Sequence, residues 1–253
     1  TNLNGNVEWQ KTYGGSNGDK GYSVQQTNDG GYIVAGYTYS FGAGNSDVYV
    51  VKTDSSGNKQ WEKTYGGADY EFGYSVQQTN DVGYIVAGEA YSFAAIYDSN
   101  FYLIKTDSSG KKQWEKTYAG AGDDFGYSVQ QTNDGGYIIV GYTYSSGSGN
   151  NDVYLIKTDL NGNKLWEKTF GGIGNDAGYS VQQTNDGGYI IVGSNLIKTD
   201  LNGNKLWEKT IGGRSVQQTN DGGYIVAGEA NGDVNLIKTN SNGNKLWEKT
   251  FGG

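Results

Sequence analysis

The 253-residue sequence contains no cysteine, histidine, methionine or proline. Without cysteine no disulfide holds the fold, and thiols say nothing about compartment. Without histidine the commonest general base and the commonest neutral metal ligand are missing. Without proline no strand ladder is interrupted. A chain that starts at Thr1 and lacks methionine is expected to be a processed or trimmed form, so the absence of a visible signal peptide is uninformative. No stretch approaches the roughly 18 apolar residues of a membrane span. The formal charge is −8, and no cluster of Lys or Arg offsets it. Binding to nucleic acid or insertion into a membrane is therefore not expected.

What the chain has in abundance is glycine (43), tyrosine (22) and repetition. The stretch Trp61-Glu62-Lys63-Thr64-Tyr65-Gly66-Gly67 recurs as near-copies starting at Trp9, Trp114, Trp166, Trp207 and Trp247. Between copies stand Ser-Val-Gln-Gln-Thr-Asn-Asp, then Gly-Tyr-Ile-Val (or Ile), then Ile-Lys-Thr (or Val-Lys-Thr). The Trp spacings of 52, 53, 52, 41 and 40 define five units in one domain spanning residues 1–253.

Within the unit that starts at Trp61, Trp61 to Tyr65 alternates large and polar residues, a period-2 strand ended by Gly66 and Gly67. A loop over 68–73 leads to a second strand over 74–79. The turn over 80–83, Asn-Asp-Gly-Gly in the other units, suits the positive φ of a hairpin. An apolar run over 84–88 reads as a strand buried on both faces. A long loop over 89–100 precedes a fourth strand over 101–106, which Asp107-Ser108-Ser109-Gly110 turns back. Four short antiparallel strands per unit, repeated every ~40 to 50 residues, predict an all-β, five-bladed β-propeller. Each sheet is apolar on both faces and must bury them against its neighbours. The rival is an open stack or solenoid.

The units Gly-Tyr-Ile-Val-Ala-Gly-Tyr-Thr (Tyr32–Thr38 and its copies), Asp-Val-Tyr-Leu-Ile-Lys-Thr-Asp and Gly-Asn-Lys-Leu-Trp-Glu-Lys-Thr-Phe-Gly-Gly (Asp152–Gly172) resemble the bacterial SBBP-type β-propeller repeats. The resemblance covers the whole chain. It implies a propeller that is secreted or on a cell surface, and it leaves function open. The units at Trp166 and Trp207 depart from the pattern, because Gly193 runs almost straight into Asn195-Leu196-Ile197.

Six Trp strands accompany only five Ser-Val-Gln-Gln strands, and Asn4-Gly5-Asn6 before Trp9 matches Asn242-Gly243-Asn244 before Trp247. In a closed ring one of the two, taken as the strand from Trp247, completes the last blade and the other is an additional terminal strand; which of them closes the ring is left open by the sequence. The additional strand is either a tolerated edge or a template that pairs with a second copy by strand exchange, giving a homo-oligomer.

If the strands of a unit are A to D, with D the Trp strand, the A–B and C–D turns share one end and hardly vary. The B–C and D–A loops share the other end and vary, which is where recognition is expected. The B–C loops hold Tyr37, Tyr39 and Phe41; Tyr91, Phe93 and Tyr97; and Tyr142 and Tyr144. Exposed rings of this kind suit sugars or protein anchors; the alternative is that they pack over their own loops. At the same end, Asp19, Glu71, Asp124 and Asp176 each head an acid-x-Gly-Tyr pattern, and Asp47, Asp152 and Asp233 open strand C. A ring of carboxylates admits Ca²⁺, whereas the alternative is that each acid caps a local turn. The fifth unit, reading Gly213-Arg214-Ser215, lacks the acid. Asp54-Ser55-Ser56-Gly57-Asn58 lacks the distal Glu of an EF-hand and reads as a turn.

No nucleophile–base pair is apparent, and carboxylates such as Asp123 and Asp124 offer only a weak glycosidase pattern. The expected function is therefore a non-enzymatic structural or adhesive surface module. A glycan-binding propeller is the alternative and a carbohydrate-active enzyme a remote one. Other cell-surface proteins or glycans are the expected partners.

Overall fold

The structure is a computed structural model that describes residues 1, 3–92, 98–118 and 120–252. It is all-β, with no helix among the described residues, and its five four-stranded antiparallel sheets are those of a five-bladed β-propeller. By contacts the chain forms two compact units, Thr1–Tyr118 and Ala119–Gly253.

The first unit holds two sheets. Sheet 1 is β1 (Asp19–Gln26), β2 (Tyr32–Thr38), β3 (Asp47–Thr53) and β4 (Lys59–Tyr65). Sheet 2 is β5 (Glu71–Gln78), β6 (Tyr84–Ser92), β7 (Asp98–Thr106) and β8 (Lys112–Tyr118). The second unit holds three. Sheet 3 is β9 (Asp124–Gln131), β10 (Tyr137–Thr143), β11 (Asp152–Thr158) and β12 (Lys164–Phe170). Sheet 4 is β13 (Gly178–Gln183), β14 (Tyr189–Gly193), β15 (Leu196–Thr199) and β16 (Lys205–Lys209). Sheet 5 is β17 (Ser215–Gln218), β18 (Tyr224–Ala230), β19 (Asp233–Thr239) and β20 (Lys245–Phe251).

The cores lie between successive sheets. Ile33, Val48, Val50 and Tyr65 of sheet 1 meet Val76, Tyr84, Val86 and Ile104 of sheet 2. Leu155 and Phe170 of sheet 3 meet Val181, Tyr189 and Ile191 of sheet 4, whose opposite face meets Val216, Tyr224 and Val226 of sheet 5. Each fully buried aliphatic side chain contributes about 1.5–3 kcal/mol, which is why the B strands are apolar on both faces.

The repeated polar words encode the same junctions. Ser23 Oγ accepts from the N–H of Val76 (3.1 Å), and Gln25 Oε1 accepts from the N–H of Gln78 (2.6 Å). Gln78 Oε1 reaches back to the N–H of Asn28 (2.8 Å). Sheets 3 and 4, and 4 and 5, are laced identically through Gln130 to Gln183 and Gln182 to Gln218. Ser-Val-Gln-Gln thus satisfies backbone donors on the adjoining A strand that no ladder reaches.

Within each unit, the Trp strand of one sheet delivers anchors to the next. Trp61 meets Tyr84 edge-on at 5.7 Å, and Tyr65 Oη donates to the carbonyl of Gly110 at 2.6 Å. Gly110 turns with φ +77°, and a Cβ there would lie 2.9 Å from the Trp61 ring, so glycine is required on both counts. Trp166 on Tyr189 and Trp207 on Tyr224 repeat the contact.

Three details differ from expectation. The additional terminal strand at Trp9 joins no sheet, and the described strands begin at Asp19. Residues 7–13 instead lie over sheet 1 as a lone copy of a Trp strand, with Trp9 on Tyr32 at 5.7 Å and Tyr13 Oη bonded to Gly57 O at 2.6 Å. The A strands of sheets 1 to 3 begin at the acid rather than at the tyrosine, with a bulge beneath that tyrosine. The loop expected over 89–100 is narrower, because pairing continues through Tyr91↔Ser99 and Ser92↔Asp98.

Candidate functional site

The A–B and C–D ends of the sheets are clamped. Lys105 is buried, yet its Nζ is held by Asp81 (2.8 Å), Thr106 O (2.8 Å) and Gln113 Oε1 (3.2 Å). Lys52, Lys157, Lys198 and Lys238 make the same pair with Asp29, Asp134, Asp186 and Asp221. Hydrogen bonds from Thr27 and Lys52 hold the Asp29 carboxyl down at about 2. A buried ammonium needs such a set of acceptors. In the C–D turns Asp54 accepts the N–H groups of Ser56 (2.9 Å) and Asn58 (2.8 Å), so these are turns closed on themselves.

The opposite end carries the aromatic and acidic candidates. Tyr37 is only 7% exposed and is wedged between Phe72 (4.7 Å), Tyr39 (5.4 Å) and Tyr22 (5.8 Å). It extends the core. Tyr39, Phe41 and Tyr144 are 42, 43 and 52% exposed. Tyr91 is half-buried against Tyr70, and Tyr142 against Phe125 and Tyr127. Phe93 and Tyr97 lie outside the described residues.

The four acids share one local arrangement. Asp19, Glu71, Asp124 and Asp176 accept the N–H of Gly15 (2.9 Å), Gly67 (3.0 Å), Gly120 (2.8 Å) and Gly172 (3.0 Å), each four residues earlier. Among the described residues no three acidic side chains gather where a metal ion could sit. At Asp19 hydrogen bonds from Thr38, Gly15 and Ser40 outweigh burial, and its carboxyl lies below the usual range. Glu71 behaves oppositely. Burial, reinforced by the charges of Asp47, Asp69 and Glu115 and opposed by Gly67 N–H, pushes it up to about 7. Asp47 is buried beside it and also raised, and a Cβ on Gly66 would run into both carboxylates. Asp152 and Asp176 face each other across Gly171 in the same way. Burial raises Asp124 as well.

Sequence reasoning overlooked the tyrosines of the A strands. Tyr22, Tyr74 and Tyr179 sit in β-bulges, and the register skips Tyr127 in the same way. Bulges re-aim side chains, and here they bring the rings of adjoining sheets together: Tyr22 and Tyr74 at 5.2 Å, Tyr127 and Tyr179 at 5.5 Å. In sheet 5 the place is taken by Arg214, whose guanidinium lies 4.0 Å over Tyr179. The constant Gly-Tyr before Ser-Val was the available signal.

Two sheets carry exposed residues at positions buried in other copies. Phe251 is 53% exposed, whereas its counterparts Tyr65, Tyr118 and Phe170 are 6, 7 and 8% exposed. Trp247 on the same strand is also exposed, with Lys249 Nζ 5.7 Å above it. On sheet 1, Val24 is 66% exposed, whereas Val76, Val129, Val181 and Val216 are each 6%.

No family model and no curated sequence matches the chain. Solved structures do. A provisionally assigned 6-phosphogluconolactonase from Bacteroides uniformis matches at a TM-score of 0.58 and 11% identity, over 91% of this chain and 72% of that one. A glucose dehydrogenase matches at 0.55 and 8%, over 91% and 86%. A protein of unknown function from Dyadobacter fermentans matches at 0.51 and 13%, over 88% and 73%. Such likeness speaks for the fold alone.

Proposed function

We propose that the protein is a non-enzymatic structural or adhesive module, secreted or at a cell surface, that associates with copies of itself. The observation that carries this reading is the uncovered Phe251, an anchor whose counterparts Tyr65, Tyr118 and Phe170 are buried. Sheet 1 carries the matching seat: Tyr32 for the tryptophan, Gly57 for the turn and a bare Val24 beside them. The junctions described within a unit join surfaces of these two kinds, and in our reading β20 seats on sheet 1 of a second copy. Residues 7–13 fill that seat with the same pattern, Trp9 and Tyr13, and a docking β20 displaces them. The resemblance to SBBP-type repeats supports the extracellular placement. Sedimentation velocity tests the reading. Association should rise with concentration, weaken in Trp247→Ala/Phe251→Asp, and begin at lower concentration in Trp9→Ala. A strict monomer at every concentration removes it.

A second reading is a lectin-like module, favoured by the exposed rings of Tyr39, Phe41 and Tyr144 at the variable end. The raised, facing carboxylates Asp47 and Glu71 are the nearest approach to an enzymatic arrangement in the first unit.

A further inference from the structure

Four A strands carry tyrosine at the position just before Ser-Val, and sheet 5 carries the single arginine of the sequence there. Arg214 continues the ring ladder of the second unit: Tyr144, Tyr142, Tyr127 and Tyr179 are spaced at 5.8, 5.7 and 5.5 Å, and the guanidinium follows at 4.0 Å. A guanidinium stacked on a ring face keeps its N–H edge free in the plane. Arg214 is exposed, and among the described residues no carboxylate pairs with it. In a chain of net charge −8 an unpaired arginine on an aromatic row is an unusual combination.

The neighbouring acids do not quench it. Asp124 is turned to Gly120 N–H and Ser145 Oγ (3.0 Å), and Asp176 to Gly172 N–H. The shortened loops keep the row open. In sheet 4 only Ser194 and Asn195 join β14 to β15, and in sheet 5 only Asn231 and Gly232 join β18 to β19. The shortened loops of units four and five, which lack the rings of the first three, thus leave the A-strand row open.

We infer that Tyr144, Tyr142, Tyr127, Tyr179 and Arg214 form a binding site for a carboxylated saccharide. Pyranose C–H faces lie on the rings, and one uronate carboxylate takes the bidentate edge of Arg214. The inference extends the lectin-like reading, adding the ligand's charge and the residue that selects it.

The test is titration calorimetry of the intact protein with trigalacturonate and with maltotriose, an uncharged sugar of equal ring count. Trigalacturonate should bind at least tenfold more tightly, and the preference should shrink with added salt. Arg214→Gln should remove the preference without changing the maltotriose affinity, Arg214→Lys should keep part of it, and Tyr144→Ala should weaken both sugars. Thermal melts check that each exposed-site variant remains folded. Equal affinity for the two sugars, or trigalacturonate binding that survives Arg214→Gln, overturns the inference and leaves the lectin-like reading standing. Binding of neither sugar overturns both.

Discussion

The two ends of each sheet are made of similar residues put to opposite uses. At the A–B and C–D end, one Lys–Asp pair per sheet recurs with nearly identical partners and distances, from Lys52–Asp29 to Lys238–Asp221. At the B–C and D–A end, acids face acids, rings are half-covered, and the B–C loops range from two residues in sheets 4 and 5 to eight in sheets 1 and 3. The difference teaches where constraint lies. A buried ammonium needs its carboxylate and carbonyl acceptors in every sheet, so the first end is a clamp. Carboxylates raised above their ordinary range, such as Glu71, are a cost carried at the second end.

The largest effect should come from breaking the clamp. Asp81→Ala leaves Lys105 buried with neutral acceptors only, at a cost of about 3–5 kcal/mol in urea unfolding. A loss below about 1 kcal/mol would mean that Lys105 finds water and that the two ends are equally permissive.

Relieving the opposite end should stabilise. Glu71 has a folded value of about 7 against an ordinary 4.5, so its protonated form is the one the fold prefers. Its contribution is fully present below pH 4.5, is lost as pH rises towards 7, and stays lost above. Glu71→Gln should therefore be neutral near pH 4 and stabilising by about 2–3 kcal/mol at pH 8. Equal stability of the two proteins at pH 8 would place Glu71 in ordinary solvent.

The smallest effect is expected at the exposed rings. Tyr39→Ala should change stability by less than about 0.5 kcal/mol, measured by thermal melting, because nearly half of the side chain is in water. A larger loss would mean that the contact of Tyr39 with Tyr37 carries stability, and would blur the distinction between scaffold and recognition surface.

Much of this was written in local patterns. The period, the four strands per unit, the Asn-Asp-Gly-Gly turns and the doubly buried run at Tyr84 follow from alternation and turn chemistry, which act over a few residues. Ser-Val-Gln-Gln was recognisable as a strand but not as a lace, because its partners lie 53 residues away in Val76 and Gln78. Tyr37 looked like a ligand platform and proved to be core, since only packing decides which ring of a loop is covered. Tyr127 and Tyr179 were passed over because a bulge leaves no mark in composition.

By itself, then, the sequence determined that this chain makes five four-stranded sheets with one constant and one variable end, because backbone periodicity and turn preferences are local. Only the tertiary structure decided which anchors stay bare, as Phe251 and Val24 do, and that Arg214 rests on Tyr179. Exposure and stacking depend on what a neighbouring sheet brings, and residues far apart in the chain set that together.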